Sequence, residues 1–167
     1  MINKLGFGFL RLPKKDGELD WQTICSMVDV FMGGGGVFFD TCYTYLDGLS
    51  EAAIHKCVVE RKPRHSFQLC DKLPGYLFKS YEDCQKYFDE ELSRCGVEWF
   101  DILMLHWLND DHYAIAEQYD EFRFLREKKA EGKAKRIGFS YHGDAALLDR
   151  ILTGHPEVDV VLMQLNY

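Results

Sequence analysis

Residues 99–107 read Trp99-Phe100-Asp101-Ile102-Leu103-Met104-Leu105-His106-Trp107. Four consecutive apolar residues, Ile102 to Leu105, show no apolar–polar alternation. Such a run suits a strand buried on both faces, which is how strands read in a parallel sheet covered by helices. Working outward in the C-terminal direction, Tyr113 to Glu131 predicts a helix closed by Gly132, and Arg136 to Ser140 a strand. Asp144 to Thr153 then predicts a helix ended by Gly154 and Pro156, and Val158 to Gln164 a last strand. In the N-terminal direction, Ser80 opens a helix through Cys95 and Gly96, Phe67 to Lys72 is a strand, and Ser50 caps a helix through about Val59. Val37 to Asp40 is a compact strand ending in a carboxylate. Before it, Asp20 caps a helix whose Trp21, Ile24, Val28 and Phe31 recur at three- and four-residue spacing, and Gly33 to Gly36 stop that helix. Leu5 to Leu12 reads as a short strand or a strand leading into a loop, ended by Pro13.

About six strands thus alternate with five helices, which implies an α/β fold with parallel strands and helices packed outside. Two architectures fit: a βα-barrel and a doubly wound open sheet. A glycine-rich strand-to-helix turn would favour the open sheet, but Gly6-Phe7-Gly8 leads into Phe9-Leu10-Arg11 and no helix begins there. The reading is therefore a (β/α)8 TIM-barrel type, incomplete, as a single domain over residues 1–167 that ends at its sixth strand. A full barrel of this type takes about 250 residues. An open six-stranded version would expose edge strands and apolar helix faces, which favours self-association.

With 47% hydrophobic residues the chain can bury a sizeable core, and a formal charge of −7 argues against nucleic acid and anionic membrane as partners. Cys25, Cys42, Cys57, Cys70, Cys84 and Cys95 are scattered through helices and strands without a C-x-x-C pair, as reduced core thiols would be. No signal-peptide pattern occupies residues 1–5, and no apolar run reaches the roughly 18 residues of a membrane span. The expected compartment is the cytoplasm.

Barrel enzymes place their chemistry at the C-terminal ends of the strands. Asp40, Lys72, His106, Ser140 and Gln164 hold those positions here, with Tyr45 five residues beyond Asp40. Singly, each has a bland reading as a cap, a solvated charge or a satisfied core group. Together they make coherent chemistry. A buried Lys beside a Tyr favours the phenolate and is expected to lower the tyrosine pKa from about 10. An Asp paired with that Lys keeps the ammonium charged, and a neutral His can orient a carbonyl. The hydride needed to complete such a reduction must come from a reduced cofactor, because no side chain supplies one.

These residues resemble a known family. Asp40-Thr41-Cys42-Tyr43-Thr44-Tyr45, followed by Gly48-Leu49-Ser50-Glu51, is similar to the aldo-keto reductase signature. Asp71-Lys72-Leu73 resembles its Lys strand, residues 101–107 its His strand, and Gly132 to Ser140 its glycine-serine strand. Met163-Gln164-Leu165-Asn166-Tyr167 resembles the strand after that. The resemblance implies Tyr45 as proton donor, Lys72 as its partner, Asp40 as the partner of Lys72, and His106 as the carbonyl-orienting group. It implies NADP(H) or NAD(H) as cofactor, with Ser140 and Gln164 on the nicotinamide carboxamide, Asp40 beside the cofactor, and Gly8, Phe9 and Leu10 lining the same end of the first strand. Trp107 would be a wall of the pocket for a small carbonyl substrate.

The sequence departs from the family at Tyr141-His142-Gly143, where many members carry Asn after the Ser. The form Gly-Phe-Ser-aromatic-His-Gly resembles the branch with a C-terminal ferredoxin-like iron–sulfur domain. An iron–sulfur cluster would then belong to a longer parent protein, since no Cys cluster here could hold one. The family's adenosine-phosphate contacts are expected beyond residue 167. Two functions follow: reduction of an aldehyde or ketone to an alcohol, or a truncated, catalytically inactive barrel that acts as an interaction module. A metal-dependent barrel enzyme would need more converging ligands than His106 and Asp40, so no metal is expected.

Overall fold

The computed structural model describes residues 4–164. Its main sheet contains six strands: β1 (Gly6–Gly8), β4 (Phe38–Asp40), β5 (Gln68–Leu73), β6 (Phe100–Leu108), β7 (Ala134–Tyr141) and β8 (Val160–Met163). All neighbours pair in parallel, in the order β1-β4-β5-β6-β7-β8. The order along the sheet is thus the order along the chain, as in a singly wound barrel, and the sheet curls into an open half-barrel with β1 and β8 at its edges. The helices between the strands are α1 (Trp21–Gly33), α2 (Leu49–Ile54), α3 (Tyr81–Cys95), α4 (Asp110–Gln118), α5 (Glu121–Ala130) and α6 (Ala145–Gly154).

The strands show why the central run is apolar throughout. On β6, Leu103 and Leu105 face the helices and join a core with Ile24 and Val28 of α1, Ile54 of α2, Phe88 of α3, Leu125 of α5 and Ile151 of α6. Ile102 and Met104 point the other way and pack with Cys70, Phe38 and Val160 inside the curl. The two-residue period of a strand then carries Asp40, Lys72, His106 and Ser140 onto that inner face, one step beyond the apolar layer.

Local sequence sets the helix ends. Asp20 accepts from the backbone N–H of Thr23 at 3.0 Å at the start of α1, and Asp144 from that of Leu147 at 2.8 Å at the start of α6. Gly96, with φ 67°, ends α3 in the left-handed region where glycine is favoured.

Two expectations are corrected. The single helix expected over 113–131 is two: Asp120 takes a left-handed φ of 56° between α4 and α5, and α4 starts at Asp110 with Asn109 as its cap. Ser50 is no cap; α2 starts at Leu49 after Gly48, whose φ is 86°, and continues as one π-helical turn over His55–Val59. The first strand is Gly6–Gly8 and leads into a loop, as expected. Beyond it, β2 (Lys14–Lys15) and β3 (Glu18–Leu19) form a small antiparallel hairpin across Asp16-Gly17, a turn pair that the sequence reading passed over. Among the described residues, no helix is long and apolar enough to cross a membrane. All six cysteines are free.

Candidate active site

Neighbouring strand ends bring the expected residues together. Lys72, with no exposed surface, lies at the end of β5. Its ammonium donates to Asp40 Oδ2 at 2.8 Å, to the Thr41 carbonyl at 2.6 Å and to the Tyr45 hydroxyl at 3.5 Å. Three acceptors use the three ammonium protons, which is what a buried lysine requires. Burial works against the charged form, but the acidic groups around it, Cys70, Asp40 and Tyr45, outweigh that and hold the Lys72 pKa above its ordinary value.

Tyr45 reaches the site from a 3₁₀ turn, Tyr45–Gly48, that follows β4. Its phenol corrects the expectation of a lowered pKa. Burial pushes it above 10, and the Lys72 charge pulls it back only in part. The group is therefore a protonated phenol at neutral pH, beside a cation that stabilises it once its proton leaves.

His106 ends the inner row of β6, with its ring 5.7 Å from that of Tyr45 and nearly perpendicular to it, at 82°. Burial, the Lys72 charge, and His142 and His112 push its pKa down to about 3, so the ring is neutral. Nδ1 lies 3.1 Å from the sulfur of Cys42, which is fully buried.

β6 and β7 lose register between Leu105 and Leu108, and Trp107 takes a left-handed φ of 61° within that irregularity. Its backbone N–H donates to Ser140 Oγ at 2.6 Å, while its side chain is 45% exposed. Ser140 is buried, and among the described residues its hydroxyl accepts from Trp107 without donating in turn. The Trp107 carbonyl is 2.7 Å from His112 Nδ1, and the His112 ring stacks on Tyr76 at 4.8 Å. Tyr76 also stands 5.9 Å from the rings of both His106 and Trp107. Tyr76, His112 and Cys42 were not singled out from the sequence. Cys42 lies inside the Asp40–Tyr45 motif, but a buried thiol gives no sign of its neighbours; Tyr76 and His112 come from connections whose course the motif spacing does not encode.

At the edge of the sheet, Gly8 has open space where a side chain would be, and Leu10 is exposed. The Phe9 ring is buried against Phe7 and Phe39, so only its backbone faces this end; its N–H donates to the Asp40 carbonyl at 2.8 Å. Ser50 donates to the Phe9 carbonyl at 3.0 Å and accepts from Thr41 at 2.6 Å, tying β1, β4 and α2 together under the site. Gln164 is exposed and borders a cavity of about 480 Å³ with His142, Gly143 and Met163. The other three residues of the terminal motif, Leu165, Asn166 and Tyr167, lie outside the described residues.

The helix side of β5 carries a second set of charges. Asp71, Glu51 and Glu91 are fully buried there with Cys95. Burial pushes Asp71 up to about 7; burial together with repulsion from neighbouring acids pushes Glu51 up to about 9 and Glu91 well above its ordinary value. Burial thus favours the neutral form of these acids, with Arg94 on Glu51 at 3.1 Å.

A half-barrel whose ionisable groups gather at the C-terminal strand ends is the arrangement of a βα-barrel enzyme. The family model described as the aldo/keto reductase family matches residues 4–167, and the chain belongs to that family. Its fold is similar to that of an aldo/keto reductase from Brucella melitensis (24% identity, TM-score 0.73), covering 96% of this chain and 57% of that one. It is similar also to an aldo-keto reductase from Klebsiella pneumoniae in complex with NADPH (19%, TM-score 0.77), covering 93% and 52%. A third, from Bacillus halodurans in its holo form, shares 22% identity at a TM-score of 0.77, covering 97% and 53%. The chain thus spans a little over half the length of each. No curated protein sequence matches it.

Proposed function

We propose that this chain carries the catalytic half of an NADP(H)-dependent oxidoreductase that reduces an aldehyde or ketone to an alcohol. The observation that carries the reading is the placement of one buried ammonium, Lys72, between Asp40 and the Tyr45 hydroxyl. When bound, a reduced nicotinamide supplies the hydride. The chain's own residues handle the proton and the orientation. His106 Nε2 has no hydrogen-bond partner among the described residues, and its ring lies 5.7 Å from that of Tyr45, so it can hold a carbonyl oxygen. As charge develops on that oxygen, Tyr45 gives up its proton and Lys72 stabilises the phenolate left behind. Asp40 keeps Lys72 charged throughout.

The residues present fit a nicotinamide. Gly8 leaves room at the strand end, the Ser140 hydroxyl donates to none of the described residues, and Gln164 is exposed at the same end of the sheet. Ser140 and Gln164 would hold its carboxamide, and Trp107 would wall the substrate. The six unpaired cysteines agree with a reducing compartment such as the cytoplasm.

The test is a titration of NADPH and NADH into the 167-residue chain and into a version carrying the whole barrel, followed by carbonyl reduction with Tyr45→Phe as control. Absence of nicotinamide binding in the whole-barrel version would sink the reading. One observation favours interaction-module behaviour for these residues alone. Phe7, Met27, Val30 and Phe31 line an apolar groove of about 640 Å³ beside edge strand β1. Sedimentation that stays monomeric up to high concentration excludes it.

A further inference from the structure

The thiol of Cys42 has no role in the chemistry above, although it touches one of its participants. Cys42 is fully buried, and its sulfur is 3.1 Å from His106 Nδ1, 3.5 Å from the Lys72 carbonyl and 3.6 Å from Thr44 Oγ1. We infer that Cys42 is a positioning residue that donates its S–H to Nδ1 of His106 and so fixes the ring's proton on Nε2, where a carbonyl oxygen would sit. This rests on the reading of His106 as the carbonyl-orienting group.

The reasoning is an accounting of protons. A neutral imidazole has one N–H and one bare nitrogen, and the neighbour of one nitrogen decides which is which. Only the tautomer with a proton on Nε2 can donate to a carbonyl; the other turns a lone pair toward it. Cys42 has one proton and three acceptors in reach. The Lys72 carbonyl already accepts from the Tyr43 N–H at 3.4 Å. Nδ1 is the nearest acceptor and the most basic. The reverse arrangement, Nδ1–H donating to sulfur, would use the weakest acceptor of the set. Both partners stay uncharged, because burial pushes the Cys42 thiol up to about 12 and the His106 ring down to about 3. The contact is thus a neutral S–H···N bond, not a thiolate–imidazolium pair. Tyr45 and Tyr76 flank the ring and limit its rotation, so the thiol decides the tautomer rather than the ring's tilt.

The experiment is a long-range ¹H–¹⁵N correlation spectrum of the 167-residue chain with ¹⁵N-histidine, the His106 signals being assigned by their loss in His106→Gln. The wild-type chain is expected to show His106 with a bare Nδ1 and a protonated Nε2. Cys42→Ala is expected to shift the ring toward a tautomer mixture, and Cys42→Ser, which keeps a donor, to restore the wild-type pattern. A protonated Nδ1 in the wild type overturns the inference, and needs no variant to fold; so does a His106 pattern unchanged in Cys42→Ala. In the whole-barrel version, Cys42→Ala is expected to lower kcat on the order of tenfold, less than the ~100-fold or greater loss of a direct oxyanion donor, with NADPH affinity unchanged and Cys42→Ser recovering the rate. An unchanged kcat overturns the positioning role. A Cys42-dependent tautomer in a protein without reductase activity would leave the tautomer standing and remove the enzymatic reading, so the two fail separately.

Discussion

Lys72 Nζ and Asp40 Oδ2 are 2.8 Å apart across two adjacent parallel strands, and the lysine has no exposed surface at all. The pair forms because Asp40 is the last residue of β4 and Lys72 the next-to-last of β5, on the same face of the sheet. Removing Lys72 strands a partly buried carboxylate, a carbonyl and a phenol. Lys72→Met is expected to cost ~3–5 kcal/mol of stability, the usual cost of breaking one side of a buried pair. In a whole barrel it should also lower kcat by at least ~100-fold, the lower bound for losing acid–base assistance. Chemical denaturation and turnover measured on one preparation check both.

Stability should fall as pH rises from about 4.5 to about 8, in part because of Glu121. That residue is buried on α5, its Oε1 has no hydrogen-bond partner, and burial alone pushes its pKa from 4.5 to about 8. Between those values the folded chain holds a proton that the unfolded chain has released, so the contribution is full below pH 4.5 and is lost as pH passes 8. Glu121→Gln should match the wild type in urea midpoint near pH 4.5 and exceed it at pH 8.5. Equal midpoints at pH 8.5 would refute the assignment.

Gly138 is required by a neighbour, not by its own backbone angle. A Cβ there would lie 2.1 Å from the Val160 carbonyl oxygen, so β8 would have to move. Gly138→Ala is expected to destabilise by ~1–3 kcal/mol, the range for inserting a methyl into a packed core. Amide exchange should locate the loss at the β7–β8 ladder while β5 and β6 stay protected.

Ser50 links three elements through one hydroxyl. Ser50→Ala leaves the Phe9 carbonyl without its side-chain donor and Thr41 without its acceptor, both buried. The expected cost is ~1–3 kcal/mol. A drop in melting temperature with unchanged helix content by circular dichroism checks it.

The strands were legible because their apolar runs are long and glycine or proline bounds them: the strand expected over 99–105 lies within β6 apart from Trp99, and 136–140 falls inside β7. What escaped was set by single backbone angles or by distant neighbours. Nothing in the composition of Tyr119-Asp120-Glu121 announces a left-handed Asp120 that splits a helix in two. Ser50 has the chemistry of a cap but spends its hydroxyl on β1 and β4. At the site, the order Asp40, Tyr45, Lys72, His106 was readable from motif spacing. Two things needed coordinates: how far burial of Tyr45 outweighs the pull of Lys72, and that Cys42 meets His106 from 64 residues away.

β5 carries an acid and a base on consecutive residues, Asp71 toward the helices and Lys72 toward the inner face. A frame error of one residue would send the ammonium out among Glu51 and Glu91 and turn the carboxylate in beside Asp40, leaving two acids facing each other without a cation. Ordinary strands are proofread by greasy and polar sides, but Leu69, Cys70 and Leu73 could pack on either side of this sheet. Here the wrong frame is rejected because Lys72 would lose Asp40, the Thr41 carbonyl and Tyr45. Because Lys72 is also the group Tyr45 depends on, a chain that has aligned β5 correctly has already set the central piece of its chemistry in place.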